Sequence, residues 1–312
     1  MAYHPRIEST DLASFLTTRT RNAELWFINN PRLENAILGY TAKLADRYNV
    51  KLYALAIEGN HIQGPALFPL GNRSNFMRDL NSSIAKAVGK HTPEYPGGRL
   101  WERRYSSEFL PDAEDVEEYF FYTVLQPIKD GLVEKLSDYP GYNCFYDAIH
   151  GISKKFEIVN WTEFNLARRS NPEAKIKHFT KTVTLQYERL PGYDNLTQAE
   201  YVKMMIEKFE CRRREILLER YARGLGFKGR IKIKNTKRGS LPVNSKKADS
   251  TAKRPRILSI SNERRAEFKN WYFSIYNEYK RASLLYRNGE WWVEFPPGTF
   301  RPSVSANPRK MG

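Results

Sequence analysis

Between Pro31 and Val133 the spacing of apolar residues switches back and forth between a helical and a strand period, which restricts the chain to a mixed fold. Pro31 opens a helix in which Leu33, Ile37, Leu38, Tyr40, Leu44 and Tyr48 recur at helical spacing. LYALAIEG (52–59) reads as a strand bounded by Gly59-Asn60. A second strand starts at His61, with Gly64-Pro65 as an interruption that makes it bulge or lie at an edge. Phe76, Leu80, Ile84 and Val88 predict a helix over 75–88, and Gly97-Gly98 a turn before the strand LWERRYSSEFL (100–110). Pro111-Asp112 begins another helix, acidic in its first turns (Asp112, Glu114, Asp115) as the helix dipole favours, and ended or kinked by Pro127. Ahead of these, residues 1–22 read as polar and turn-rich, and LWFIN (25–29) as a short strand. The order is strand, helix, strand, strand, helix, strand, helix. It predicts an α+β fold over residues 1–144, an antiparallel sheet flanked by helices.

Beyond Cys144 the pattern becomes mainly helical and basic. TVTLQYERL (182–190) is a lone strand-like stretch, and a long helix runs from the Thr197/Glu200 capping box through CRRREILLERYARG (211–224). Residues 239–256 have the low apolar content of a flexible linker. A last helix (261–285) carries the stripe Trp271, Tyr272, Tyr276 and Tyr279, expected to pack with Trp291 and Trp292. The expected organisation is a core (1–144), a basic, largely helical extension (145–238), a linker (239–256) and a C-terminal helix with an aromatic tail (257–312).

The net charge of +16 is unevenly placed: residues 1–144 hold 16 Lys+Arg against 18 Asp+Glu, and residues 145–312 hold 35 against 17. A polyanion, nucleic acid first, is the natural partner of such a surface. Two cysteines, Cys144 and Cys211, without metal-type spacing exclude a disulfide framework and a zinc module. No apolar run reaches the roughly 18–20 residues of a membrane span, and MAYHPRIEST lacks an apolar signal core, so a cytoplasmic, nucleoid-associated protein without membrane contact is expected.

Tyr122 and Gln126 stand four residues apart, on one face of a helix; His61 and Gln63 stand two apart, on one face of a strand. Tyrosine can attack a DNA phosphorus, conserving the bond energy in a 5′-phosphotyrosine link. A divalent cation assists by neutralising charge on the phosphate; imidazole and amide oxygens suit Mg²⁺ or Mn²⁺. Each residue also has an ordinary reading: His61 as a strand residue, Tyr122 as packing beside Tyr119, Phe120 and Phe121, Gln126 as a helix-terminal polar group.

Three segments carry a family resemblance: Asn60-His61-Ile62-Gln63; Trp101-Glu102-Arg103-Arg104-Tyr105; and Tyr122 to Val133 (YTVLQPIKDGLV), followed by Tyr139-Pro140-Gly141. In these the first 144 residues resemble the single-tyrosine HUH transposases, the REP-associated tyrosine transposases in particular. The resemblance implies a ferredoxin-like or RRM-like core, Tyr122 as nucleophile (Tyr119 as runner-up), His61, Gln63 and Gln126 as ligands of Mg²⁺ or Mn²⁺, and single-stranded or hairpin DNA as partner. A homodimer is left open. Gln63 stands where the family has its second His. The C-terminal half resembles the extension of a bacterial subgroup through Gly226-Phe227-Lys228-Gly229 and Val293 to Phe300. Arg19, Arg21, Arg103, Arg104, Arg212, Arg213, Arg214, Lys228 and Arg230 are the candidate DNA contacts, and each also reads as a solvated charge. The competing functions are a hairpin-binding protein that has lost catalysis and an RNA-binding protein.

Overall fold

The computed structural model describes residues 6–242 and 256–303. Strand β1 (Ala13–Arg19) leads to helix α1 (Pro31–Tyr48), the short strands β2 (Lys51–Leu52) and β3 (Ala56–Ile57), and strand β4 (His61–Leu67). Helix α2 (Arg73–His91), strand β5 (Ser106–Leu110) and helix α3 (Ala113–Lys129) follow. The sheet is antiparallel, in the order β2-β4-β1-β5, with β3 also paired to β4. The fold is thus α+β, an antiparallel sheet flanked by helices, and the positions of its helices follow the periodicity of the sequence. Among the described residues no helix is long and apolar enough to cross a membrane.

The strand expected over 100–110 is one only over Ser106–Leu110, residues 102–104 forming a bend, and the strands depart from expectation in three further places. LWFIN is not a strand: Ala23 and Asn29 adopt left-handed φ values of 58° and 51°, and Trp26 and Phe27 enter the core from a loop. The first strand is instead Ala13–Arg19, inside the stretch read as turn-rich. Its residues Ser14 and Thr18 are buried at the middle of the sheet, and Ser14 Oγ accepts from the Arg73 guanidinium at 2.8 Å. Third, Gly64-Pro65 does not interrupt β4, which pairs with β1 from His61 to Ala66. The distortion passes to the neighbouring edge. Residues 53–55 leave the ladder between β2 and β3, and the amides of Tyr53 and Ala54 both point at the Pro65 carbonyl, at 3.1 and 3.5 Å.

The second half wraps this core. Helix α4 (Phe145–His150) precedes strand β6 (Lys154–Val159), helix α5 (Trp161–Ser170) and strand β7 (Thr180–Leu185). The strand-like stretch near residue 182 is therefore not alone: β7 pairs with β6 along its whole length, and the hairpin packs on α1. Gly39 permits this approach, since a Cβ there would lie 2.8 Å from Ile158 Cδ1. Helix α6 (Gln198–Ala222) lies on α3, joined by Lys208–Glu117 (2.8 Å), and on α4, through a Phe145–Phe209 stack at 4.3 Å. Phe145, Phe156, Tyr201 and Met205 share one buried cluster with residues of the first 144. Of the expected linker, residues 243–255 lie outside the described residues, as do residues 304–312 of the tail.

Two further helices, α7 (Arg230–Lys234) and α8 (Asn262–Arg287), complete the described chain. Ile257 bridges Phe109, and hydrogen bonds from Phe109 N to Arg256 O and from Leu258 N to Phe109 O cover the outer edge of β5. Helix α8 then meets the start of α3, where Arg264 grips Asp112 through two nitrogens and the Asp115 carboxylate accepts the Ile260 amide. Trp271 and Tyr272 of the aromatic stripe pack on the sheet edge, Trp271 lying 5.6 Å from Phe109 and Tyr272 being buried with Ile7 and Ile257. Tyr279 lies 5.8 Å from Phe295, and of the tryptophan pair Trp291 packs on Tyr286 of α8 at 5.1 Å while Trp292 is 94% exposed.

Candidate active site on one sheet face

Side chains alternate along a strand, so register assigns faces. Phe15, Thr17 and Arg19 of β1 stand opposite Pro65, Gln63 and His61 of β4. The Phe15 ring lies 4.9 Å from Tyr119 and 5.7 Å from Tyr122. That face is therefore the one α3 covers, and His61, Gln63 and Arg19 lie on it beneath the helix that carries Tyr122 and Gln126.

The imidazole is oriented by a relay. Asn60 Nδ2 donates to Ala23 O at 3.0 Å, which turns Asn60 Oδ1 toward His61 Nδ1 at 2.8 Å. A carboxamide oxygen only accepts, so Nδ1 carries the proton and Nε2 keeps its lone pair. Burial and the charge of Arg19 push the His61 pKa down to about 4. The ring is neutral at physiological pH, the form that binds a metal.

Gln126 is oriented in the same way. Its Nε2 donates to Asp130 Oδ2 at 2.9 Å, and its Oε1 is left buried without a hydrogen-bond partner. Gln63 is 4% exposed, and its Nε2 likewise lacks a partner. Unsatisfied buried amides of this kind cost about 1–3 kcal/mol each unless something occupies the site. Among the described residues no three or more His, Cys, Asp or Glu side chains form a metal-holding group. A metal here would rest on His61 together with amide oxygens.

Sequence reasoning missed two carboxylates. Glu58 directly follows β3, two residues after Ala56, which pairs with Gln63, and its amide continues the pairing by donating to His61 O at 2.9 Å, so it faces α3 as well. It is 4% exposed; its Oε2 accepts from Tyr139 Oη at 3.1 Å, and its Oε1 has no partner. Burial, with Asp130 adding to it, pushes the Glu58 pKa up to about 8. Asp130, just past α3, is raised as well, mainly by desolvation. The available signal for Glu58 was its period of two with Ala56 beside the His61 turn; Asp130 had its spacing of four from Gln126.

A consequence for stability follows. Below about pH 4.5 Glu58 is protonated whether the chain is folded or unfolded, and its favourable contribution is complete. As pH rises toward about 8 the unfolded chain ionises first, so the folded state loses stability across that window. Thermal melts of the wild type and Glu58→Gln in chelator, at pH 5, 7 and 9, are expected to diverge, with the variant gaining on the wild type at each step. Parallel curves would show that Glu58 is not held neutral.

Tyr122 is half-buried, and Lys129 Nζ sits 4.8 Å from its ring centroid. Burial, and then the charge of Asp130, raises its phenol above the ordinary value. Tyr119 is pushed up to about 12 by burial; the carboxylates that bear on it are Glu118 and Glu108, with Arg265 opposing them. Of these two tyrosines Tyr122 alone feels Asp130, the partner of Gln126, as the four-residue spacing implies.

The basic candidates divide. Arg19 borders His61. Arg21, Arg103 and Arg104 are exposed; Trp101 and Tyr105 of the same segment are anchors, Trp101 Nε1 to Asn81 O at 2.9 Å and Tyr105 Oη to Ser74 Oγ at 3.2 Å. Arg212 is engaged inside the fold, paired with Glu117 and Glu118 and lying 4.4 Å over Phe121. Arg213 pairs with Glu210 at 2.9 Å, while Arg214 is exposed. Lys228 and Arg230 are exposed, with Lys228 Nζ donating to Thr236 Oγ1 and Arg230 reaching the Ser137 carbonyl.

No known protein family matches the chain in sequence, and no curated protein matches it. Two solved structures show partial likeness. One is a REP-associated tyrosine transposase bound to a REP hairpin: 19% identity and a TM-score of 0.40, over 47% of this chain and 84% of that one. The other is a protein of Deinococcus radiodurans R1 assigned as a transposase: 15% identity and a TM-score of 0.28, over 39% of this chain and 93% of that one.

Proposed function

We propose that the protein is a metal-dependent, single-tyrosine strand transferase that nicks and rejoins single-stranded DNA beside a hairpin, in the manner of the REP-associated tyrosine transposases. The observation that carries this reading is the Gln126 amide: turned by Asp130, it leaves a buried, unpartnered oxygen one helical turn from Tyr122, above the face that holds His61 and Gln63.

In this reading Tyr122 Oη attacks the scissile phosphorus. A phosphorus–oxygen bond to tyrosine forms and the bond to the 3′ oxygen breaks, leaving a 5′-phosphotyrosine and a 3′-hydroxyl; attack by that or another 3′-hydroxyl reverses the step. Because Tyr122 is held above its ordinary pKa, it enters as a neutral phenol and must give up a proton. Asp130 is the carboxylate whose charge bears on it and is the proposed acceptor; Lys129 over the ring steadies the phenolate. A divalent cation, Mg²⁺ or Mn²⁺, held by His61 Nε2 and the amide oxygens of Gln63 and Gln126, would neutralise charge on the phosphate. Glu58, neutral when the site is empty of cation, would lose its proton to solvent as a cation binds, and its carboxylate would then offset the weak amide at Gln63.

The test is covalent capture. Incubation with an end-labelled, hairpin-flanked single strand and Mn²⁺ or Mg²⁺ is expected to give a denaturant-resistant adduct that maps to a tyrosine peptide and is absent in chelator. Hairpin binding without an adduct under either metal would replace this reading with that of a binding protein. Tighter binding to RNA of the same sequence would replace it with an RNA-binding function.

A further inference from the structure

The densest run of positive charge in the chain is not a loose tail. Residues 228–238 (KGRIKIKNTKR) contain six Lys or Arg and no acid. The run is pinned to the loops around the candidate site at three points. At its start, Lys228 N and Gly229 N donate to Gly131 O and Leu132 O, both at 2.9 Å, directly beyond Asp130. In the middle, Ile233 is buried and lines a cavity with Glu58, Tyr139 and Asn29, and Asn29 Nδ2 donates to the carbonyls of Ile233, Lys234 and Thr236. At its end, Gly239 N donates to Leu25 O and Leu25 N to Ser240 O, at 3.1 and 3.0 Å. The loop that holds this end also holds the turn before His61, through Phe27 N to Gly59 O at 3.0 Å.

The segment is thus a strap along the rim of the site, from the Asp130 end to the Gly59 end. Some of its cations are engaged: Lys228 with Thr236, and Arg238 with Glu94 at 2.9 Å. Lys232, Lys234 and Lys237 are exposed, and their side chains have no partner among the described residues. Three unpaired ammonium groups on a backbone fixed next to a phosphate-processing site form an electrostatic track whose immobilisation is already made in the fold, so binding there loses little further entropy.

We infer that this strap is the binding track for the single-stranded flank of the DNA, holding its phosphates as the strand passes the rim of the site. The inference rests on the single-stranded substrate proposed above and assigns the flank to Lys232, Lys234 and Lys237, leaving the hairpin to other surfaces. A triple variant, Lys232→Gln, Lys234→Gln and Lys237→Gln, tests it by fluorescence anisotropy in chelator with two probes, a hairpin alone and the same hairpin with a single-stranded flank. Thermal melts check that the variant folds as the wild type does. The flanked probe is expected to lose at least tenfold in affinity, and its log–log salt slope to fall by about 2, at roughly 0.7 per single-strand phosphate; the bare hairpin keeps its affinity. Unchanged binding of the flanked probe, or an equal loss on both probes, overturns the strap. The adduct assay on the wild type reads the chemistry separately: flank binding through the strap without an adduct removes the catalytic proposal alone, and an adduct with strap-independent binding removes the strap alone.

Discussion

Tyr122→Phe is expected to abolish the covalent DNA adduct, a loss on the order of 10,000-fold or more, while DNA affinity changes less than a few-fold. The substitution removes one oxygen and leaves the ring that packs against Phe15 and Tyr119. The fold therefore has no reason to change, and the loss reads chemistry alone. Tyr119→Phe is the matched control. Its phenol lies among Glu118, Glu108 and Arg265 and two turns from Gln126, so adduct yield should stay within a few-fold of wild type. An adduct that survives in Tyr122→Phe and vanishes in Tyr119→Phe would reassign the nucleophile. Equal losses in both would point to the aromatic packing of α3 rather than to a nucleophile.

Gly64→Ala should destabilise the protein strongly, by about 3 kcal/mol or more in urea unfolding. A Cβ at Gly64 would sit 2.1 Å from the Ala54 carbonyl oxygen and 2.9 Å from its carbon, and both are backbone atoms that no rotamer change can move. Relief requires the 53–55 bulge to shift, and with it the hydrogen bonds to Pro65. Gln63 is the preceding residue, so if it holds the proposed cation, Mn²⁺ affinity should fall together with stability. Gly89→Ala on α2 is the control: its surroundings are open to 4 Å, and Ala in a helix is worth up to about 1 kcal/mol over Gly, so that variant should be as stable as wild type or more so. If Gly64→Ala unfolds at the wild-type urea concentration, the close approach of the two strands is wrong.

These two predictions draw on different layers of information. The Tyr122 argument was visible before any coordinates, because residues four apart on a helix share a face and residues two apart on a strand share a face. The Gly64 argument was not. From the sequence, Gly64-Pro65 looked like a break in its own strand, whereas in the fold β4 stays regular and its neighbour bends. Strand β1 was hidden for a related reason: Ser14, Thr18 and Thr20 are buried polar residues at the centre of a sheet, and hydropathy alone reads such a stretch as surface. Glu58 read as an ordinary residue of the strand over 52–59. Only Tyr139, 81 positions away, and Asp130 make it a buried, half-satisfied carboxylate. Arg212 shows the opposite case, a charge that suggested DNA and that the fold pairs with Glu117 and Glu118.

The sequence by itself determined the spacings: a helix that aligns Tyr122 with Gln126, a strand that aligns His61 with Gln63, and a second half carrying the positive charge. Such features depend on backbone periodicity and composition, which neighbouring residues encode. The tertiary structure alone decided which strand yields at Gly64, which amide oxygen is left unpaired, which carboxylate is buried, and which basic segment borders the site. Those outcomes depend on desolvation and on hydrogen-bond partners drawn from distant parts of the chain, and no local pattern of residues specifies them.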